Sequence, residues 1–211
     1  MKTIYAIPGL GTTKDLFKNI KIPNYELKIL DWPTTLPWYT LRDYSSKFIE
    51  QIDCSYPVNL IGVSFGGMLC SELSNQIKTD KVVLISSCKD ISEFPILLKF
   101  LRIIPVHKLV SDNFFKFLAK LKLKTSSQNK IIYEMLFEMK EHYLSHCINY
   151  IINWDRKISE SNFIRIHGTA DRLLLQKYIV ECEKVEGGSH TMILDRSNEI
   201  NKILNNQFNG L

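Results

Sequence analysis

Hydrophobic and polar positions along the chain fall into two alternating patterns. Short apolar runs, most of them rich in Val and Ile and ending at a glycine or a polar turn, occur at residues 3–7, 26–30, 58–63, 81–87, 162–167 and 178–186. Such runs predict strands. Between several of them apolar residues recur every three or four positions, as from Leu41 to Ile52 and from Met68 to Ile77. That spacing predicts helices laid with one face on a sheet. Strands alternating with helices imply a mostly parallel sheet covered on both sides. Residues from about 91 to 156 break the rhythm with a long apolar, helix-patterned stretch that includes Phe94, Leu98, Phe100, Leu101, Phe114, Phe115 and Trp154. An insertion of that size between two strands predicts a helical cap over the sheet edge.

Composition narrows the class without naming a chemistry. The 211 residues suffice for one domain with a full core, spanning 1–211 and carrying the cap within it. The formal charge is only +5 with 23% charged residues, an ordinary balance for a soluble protein. Cysteines at 54, 70, 88, 147 and 182 make an odd set with no CxxC pair, which points to reduced thiols and a cytoplasmic setting. The first apolar run stops at Pro8, too short for a signal-peptide core or a membrane span. The stretch FFKFLAKLKLKTSSQNK, residues 114–130, sets five lysines among apolar residues. It reads as the solvated face of a cap helix or as a contact for an anionic surface, and no nucleic-acid-binding motif accompanies it.

Chemistry concentrates in the strand that reads NLIGVSFGGM, residues 59–68. Glycine within a regular element costs about 0.5–1 kcal/mol relative to alanine, so three glycines around one serine need a reason. A strand that turns sharply into a helix through Gly62-x-Ser64-x-Gly66 supplies it, because such a turn lifts the serine hydroxyl above the sheet. The other reading is a tight turn in which Ser64 only caps the helix. A serine nucleophile also requires a base and an orienting acid. Two later segments supply them in order: FIRIHGTADRLL carries Asp171 after a strand, and VEGGSHTMIL carries His190 after two glycines. Asp90, in LISSCKD, is a rival for the acid.

With the glycine loop Pro8-Gly9-Leu10-Gly11-Thr12, these motifs make the chain resemble a small, cap-bearing α/β-hydrolase over nearly its whole length. The resemblance implies a three-layer α/β fold with a shortened, six-stranded sheet, parallel throughout, that has lost the two strands relatives carry before the glycine loop. It implies a triad of Ser64, His190 and Asp171, and an oxyanion hole from the backbone N–H groups of Leu10 and Phe65. Pro8 stands where many relatives have histidine, and Arg172-Leu173-Leu174-Leu175 where many have a proline after the acid.

The expected activity is hydrolysis of small or apolar carboxylic esters through an acyl-enzyme, with a small-molecule ester or thioester as partner and no cofactor. Thioester hydrolysis, C–C bond hydrolysis, a lyase reaction or a binding protein on the same scaffold are the alternatives. Of the other histidines, His167 reads as a structural residue at a strand end. His107, His142 and His146 lie in the cap, and no carboxylate or cysteine pattern beside them completes a metal site.

Overall fold

The computed structural model describes residues 2–103, 112, 127–157 and 162–210. Six strands form one sheet: β1 Lys2–Ile7, β2 Tyr25–Ile29, β3 Val58–Val63, β4 Thr79–Ile85, β5 Phe163–Gly168 and β6 Glu183–Val185. Their order is β2-β1-β3-β4-β5-β6, and every neighbouring pair is parallel. The helices whose bounds lie among the described residues are α1 Leu41–Ser46, α2 Phe65–Leu73, α3 Ile96–Ile103, α4 Ser127–Phe137, α5 Tyr143–Ile152, α6 Met192–Asp195 and α7 Ser197–Asn209.

Strand alternation divides the core into two layers. Tyr5 and Ile7, Val58 and Leu60, and Val82 and Leu84 face a cluster shared with Leu41, Tyr44, Leu69, Leu73 and Tyr150 of α1, α2 and α5. Ile4 and Ala6, Ile61 and Val63, and Val83 and Ile85 face Met192, Ile193, Ile200, Leu204 and Phe208 of α6 and α7. Both faces of the central strands are therefore buried, which is why these strands read as nearly continuous apolar runs. The result is the three-layer, six-stranded parallel architecture expected from the sequence.

Several boundaries differ for physical reasons. The helical pattern from Leu41 to Ile52 is split into α1 and a separate 3-10 turn at Ile49–Gln51. Ser45 and Ser46 at the break turn their hydroxyls back to the carbonyls of Arg42 and Asp43, at 2.8 and 2.7 Å, a bond that competes with helical geometry. The run 178–186 yields only three residues of β6, because Gln176–Tyr178 form a 3-10 turn and Glu181 adopts a positive φ of 56°. Trp154, at the end of the apolar stretch from 91 to 156, is core: it is 2% exposed and its indole N–H donates to Glu72 Oε1 at 2.6 Å. His107 and the lysines at 116, 120, 122 and 124 lie outside the described residues.

The strand order reverses direction between β1 and β3. In open parallel sheets the crevice beyond the carboxyl ends at such a point is where ligands bind. Both the glycine loop after β1 and the serine turn after β3 open onto it.

Candidate active site

Ser64 lies between β3 and α2 with φ 52° and ψ −118°, a conformation that non-glycine residues avoid at a cost of about 1–3 kcal/mol. Its backbone is held from both sides. The N–H donates to Ile85 O at 2.9 Å, and the carbonyl accepts from Gly67 N at 2.9 Å, Met68 N at 3.2 Å and Ser87 Oγ at 2.6 Å. A Cβ on Gly62 would overlap the Gly66 carbonyl, so the first glycine is required by the turn itself. A Cβ on Gly66 would instead overlap the carbonyls of Ile7 and Pro8. The second glycine thus lets the glycine loop close onto the elbow, a reason the sequence reading did not anticipate.

The glycine loop runs beside the serine: a Cβ built on Gly9 would lie 3.6 Å from that of Ser64. Thr12 braces the loop by donating to Gly9 O from both N (3.1 Å) and Oγ1 (2.8 Å). Trp32 Nε1 donates to Thr12 O at 2.8 Å, and its ring stacks on Phe65 with centroids 5.9 Å apart. No acceptor among the described residues is seen for the N–H groups of Leu10 and Phe65.

Asp171 and His190 arrive on two loops beyond β5 and β6. The loops meet where Gly168 and Gly188 touch backbone to backbone, with Ala170 N donating to Gly188 O at 3.0 Å. A Cβ at Gly168 would overlap that carbonyl oxygen. Gly168→Ala is therefore expected to destabilise the fold by about 1–3 kcal/mol and to separate the two loops. Thermal unfolding and the rate of reaction at Ser64, measured on the same variant, check both effects.

The geometry brings the three side chains into one line. His190 Nε2 lies 2.9 Å from Ser64 Oγ, and His190 Nδ1 lies 2.8 Å from Asp171 Oδ2. Asp171 is 3% exposed, while Ser64 and His190 stay partly open to solvent. Burial pushes the Asp171 carboxyl up. The side-chain hydrogen bonds from His167 and His190, the charge of His190 and the Leu174 N–H outweigh it and hold the carboxyl well below the usual carboxylate range. An ionised carboxylate can only accept, so Nδ1 carries the His190 proton and Nε2 of the neutral ring accepts from the serine hydroxyl.

The rival acid is placed elsewhere. Asp90 caps a 3-10 turn by accepting from Ser92 N at 2.8 Å and Ser92 Oγ at 2.5 Å. His146 Nδ1 lies 3.0 Å from Thr35 Oγ1 with His142 stacked beside it, and among the described residues no group of three or more potential ligands converges on a metal position. Two contacts escaped the sequence reading: the Ser87 hydroxyl on the Ser64 carbonyl, and His167 on Asp171 at 3.2 Å. The second has a sequence signal, a histidine four residues before the acid.

No protein-family model matches the chain, and no curated protein matches it by sequence. Solved structures do. A thermophilic esterase from Thermogutta terrifontis superposes with a TM-score of 0.80 at 9% identity, covering 100% of this chain and 90% of its own. The chain has the α/β-hydrolase fold. A carboxylesterase of the thaumarchaeon Nitrososphaera gargenis gives a TM-score of 0.73 at 16% identity, with 96% and 88% covered. MenH from S. aureus gives 0.73 at 14% identity, with 96% and 91% covered. In hydrolase-fold terms, Ser64 occupies the turn after β3, and Asp171 and His190 occupy the loops after β5 and β6. Among the described residues, no helix is long and apolar enough to cross a membrane.

Proposed function

We propose that the chain is a serine hydrolase of carboxylic esters working through an acyl-enzyme. The observation that supports it is the continuous hydrogen-bonded line from Ser64 Oγ through the His190 ring to Asp171. His190 Nε2 takes the serine proton as Oγ attacks the ester carbonyl, and Asp171 keeps the ring in the Nδ1–H tautomer and stabilises the imidazolium. The imidazolium then returns the proton to the leaving alcohol. A water, activated by the same nitrogen, releases the acid and restores the serine.

The carbonyl oxygen becomes an anion in each tetrahedral intermediate. In this reading the N–H groups of Leu10 and Phe65 receive it, the second at the N-terminus of α2 where the helix leaves its first amides unused. One such donor is typically worth about 2.7–4 kcal/mol. The reaction draws only on side chains, backbone amides and water.

The segment between β4 and β5 would serve as the cap. Leu136 and Leu144 lie over Gly11, Met135 Sδ accepts from Thr13 N at 3.4 Å, and Tyr143 packs edge-on to Trp32 at 5.4 Å. Apolar side chains over the glycine loop favour small or apolar acyl and aryl groups, and the esterases among the similar folds make carboxylic esters the first substrates to test.

A fluorophosphonate probe tests the reading independently of substrate. Stoichiometric labelling of the wild-type chain, mapped to Ser64 by peptide mass, is the expected result. Folded protein that leaves the probe unreacted sinks the hydrolase reading. A panel of p-nitrophenyl esters and acyl-CoA thioesters of increasing chain length then assigns the leaving group, with the highest kcat/KM expected on short esters.

A further inference from the structure

His167 is the penultimate residue of β5 and is 1% exposed. Its Nε2 lies 2.7 Å from Leu174 O and 3.2 Å from Asp171 Oδ2. A carbonyl oxygen cannot donate, so Nε2 must carry a proton; that N–H donates to Leu174 O, and Asp171 Oδ2 stands beside it at 3.2 Å. Asp171 Oδ2 is also the atom that receives His190 Nδ1. The other carboxylate oxygen, Oδ1, accepts from Leu173 N at 2.8 Å and Leu174 N at 2.9 Å. The carboxylate therefore sits between two backbone donors on one oxygen and two imidazoles on the other.

We propose that His167 is a positioning residue: its Nε2–H ties Asp171 Oδ2 to the Leu174 carbonyl and sets how strongly Asp171 holds His190. The inference rests on the acyl-transfer reading of Ser64 and extends it by one residue. Two physical effects follow. The bridge fixes the carboxylate plane, so Oδ2 faces the His190 ring. It also shares the negative charge of Oδ2 with a second donor, which weakens the pull of that oxygen on the His190 imidazolium.

The neighbouring ionisable groups do not duplicate this role. Cys88, after β4, is buried and its thiol is pushed far up by that burial, so it stays neutral. Arg165 of β5 and Glu93 are paired with each other at 2.6 Å. Asp90 accepts from Ser92. Glu186, in the loop after β6, accepts from Thr169 Oγ1.

The test uses the pH dependence of fluorophosphonate labelling at Ser64, which needs no natural substrate. His167→Leu removes the donor. It is expected to lower the plateau rate about tenfold and to move the acid limb upward by about half a unit to one unit, because Oδ2 then serves His190 alone. His167→Gln places an amide N–H at the same reach and is expected to return the limb to its wild-type position. A limb identical in wild type and His167→Leu overturns the proposal, as does a His167→Gln profile that matches His167→Leu. Labelling of wild-type Ser64 sustains the hydrolase reading whatever the His167 variants do, so the two failures are distinguishable. A wild type that does not react overturns both. Should His167→Leu fail to fold, two-bond nitrogen–proton correlation on the wild type decides: protonated Nε2 supports the bridge, and an Nδ1–H tautomer overturns it.

Discussion

Ser64→Ala is expected to cut ester turnover by about 10⁴–10⁶-fold while leaving the fold intact. Among the described residues the hydroxyl makes one hydrogen bond, to His190 Nε2, and that ring is partly open to water, which can take the vacated place. The strained backbone at φ 52° already belongs to a residue with a Cβ, so alanine adds no new steric conflict there. Thermal unfolding is expected to shift by less than about 1 kcal/mol equivalent, as for a substitution that buries no unpaired group. A residual rate of roughly 10³–10⁴ over water is expected from binding and the amide donors at Leu10 and Phe65. Single-turnover kinetics and an unfolding curve on the same preparation separate the two effects. Near wild-type hydrolysis by Ser64→Ala would remove this serine from the chemistry.

Why the fold was legible in the sequence follows from the burial of both sheet faces. Strands such as IYAI of β1 and NLIGV of β3 must be apolar at nearly every position, so they stand out against the helices between them. The three side chains of the candidate site were legible for a different reason. Each sits at a strand end beside glycines that close backbone contacts demand, and Gly62, Gly66 and Gly168 mark those contacts in the sequence. What was not legible depends on partners far along the chain. Trp154 is core because Glu72, 82 residues earlier, accepts its indole proton. Gly66 answers to the carbonyls of Ile7 and Pro8, which no local pattern reveals. The break after α1 turns on two serine hydroxyls choosing backbone carbonyls over water. His167 looked like a satisfied strand-end residue. Half of that holds, through Leu174 O, and the other half is Asp171.

Asp171→Asn is expected to reduce turnover by about 10⁴-fold with little change in substrate affinity, because it reverses the His190 tautomer. The surrounding donors dictate how the new amide sits. Leu173 N and Leu174 N both donate to Oδ1, so the asparagine oxygen must take that side. Its NH₂ group is then directed at the two imidazoles that Oδ2 formerly received. An amide N–H facing His190 Nδ1 makes that nitrogen an acceptor, and the ring proton moves to Nε2. The nitrogen facing Ser64 Oγ now donates and cannot take the serine proton. On the other side the NH₂ meets the His167 Nε2–H, donor against donor in a buried position, at an expected stability cost of about 1–3 kcal/mol. Substitution of Asp90 by Asn should leave the His190 tautomer unchanged, since that carboxylate accepts from Ser92. Histidine nitrogen shifts in the two variants, read beside their kcat values, discriminate between the acids. A His190 ring that keeps its proton on Nδ1 in Asp171→Asn, together with undiminished kcat, would show that the carboxylate at 171 does not orient the base.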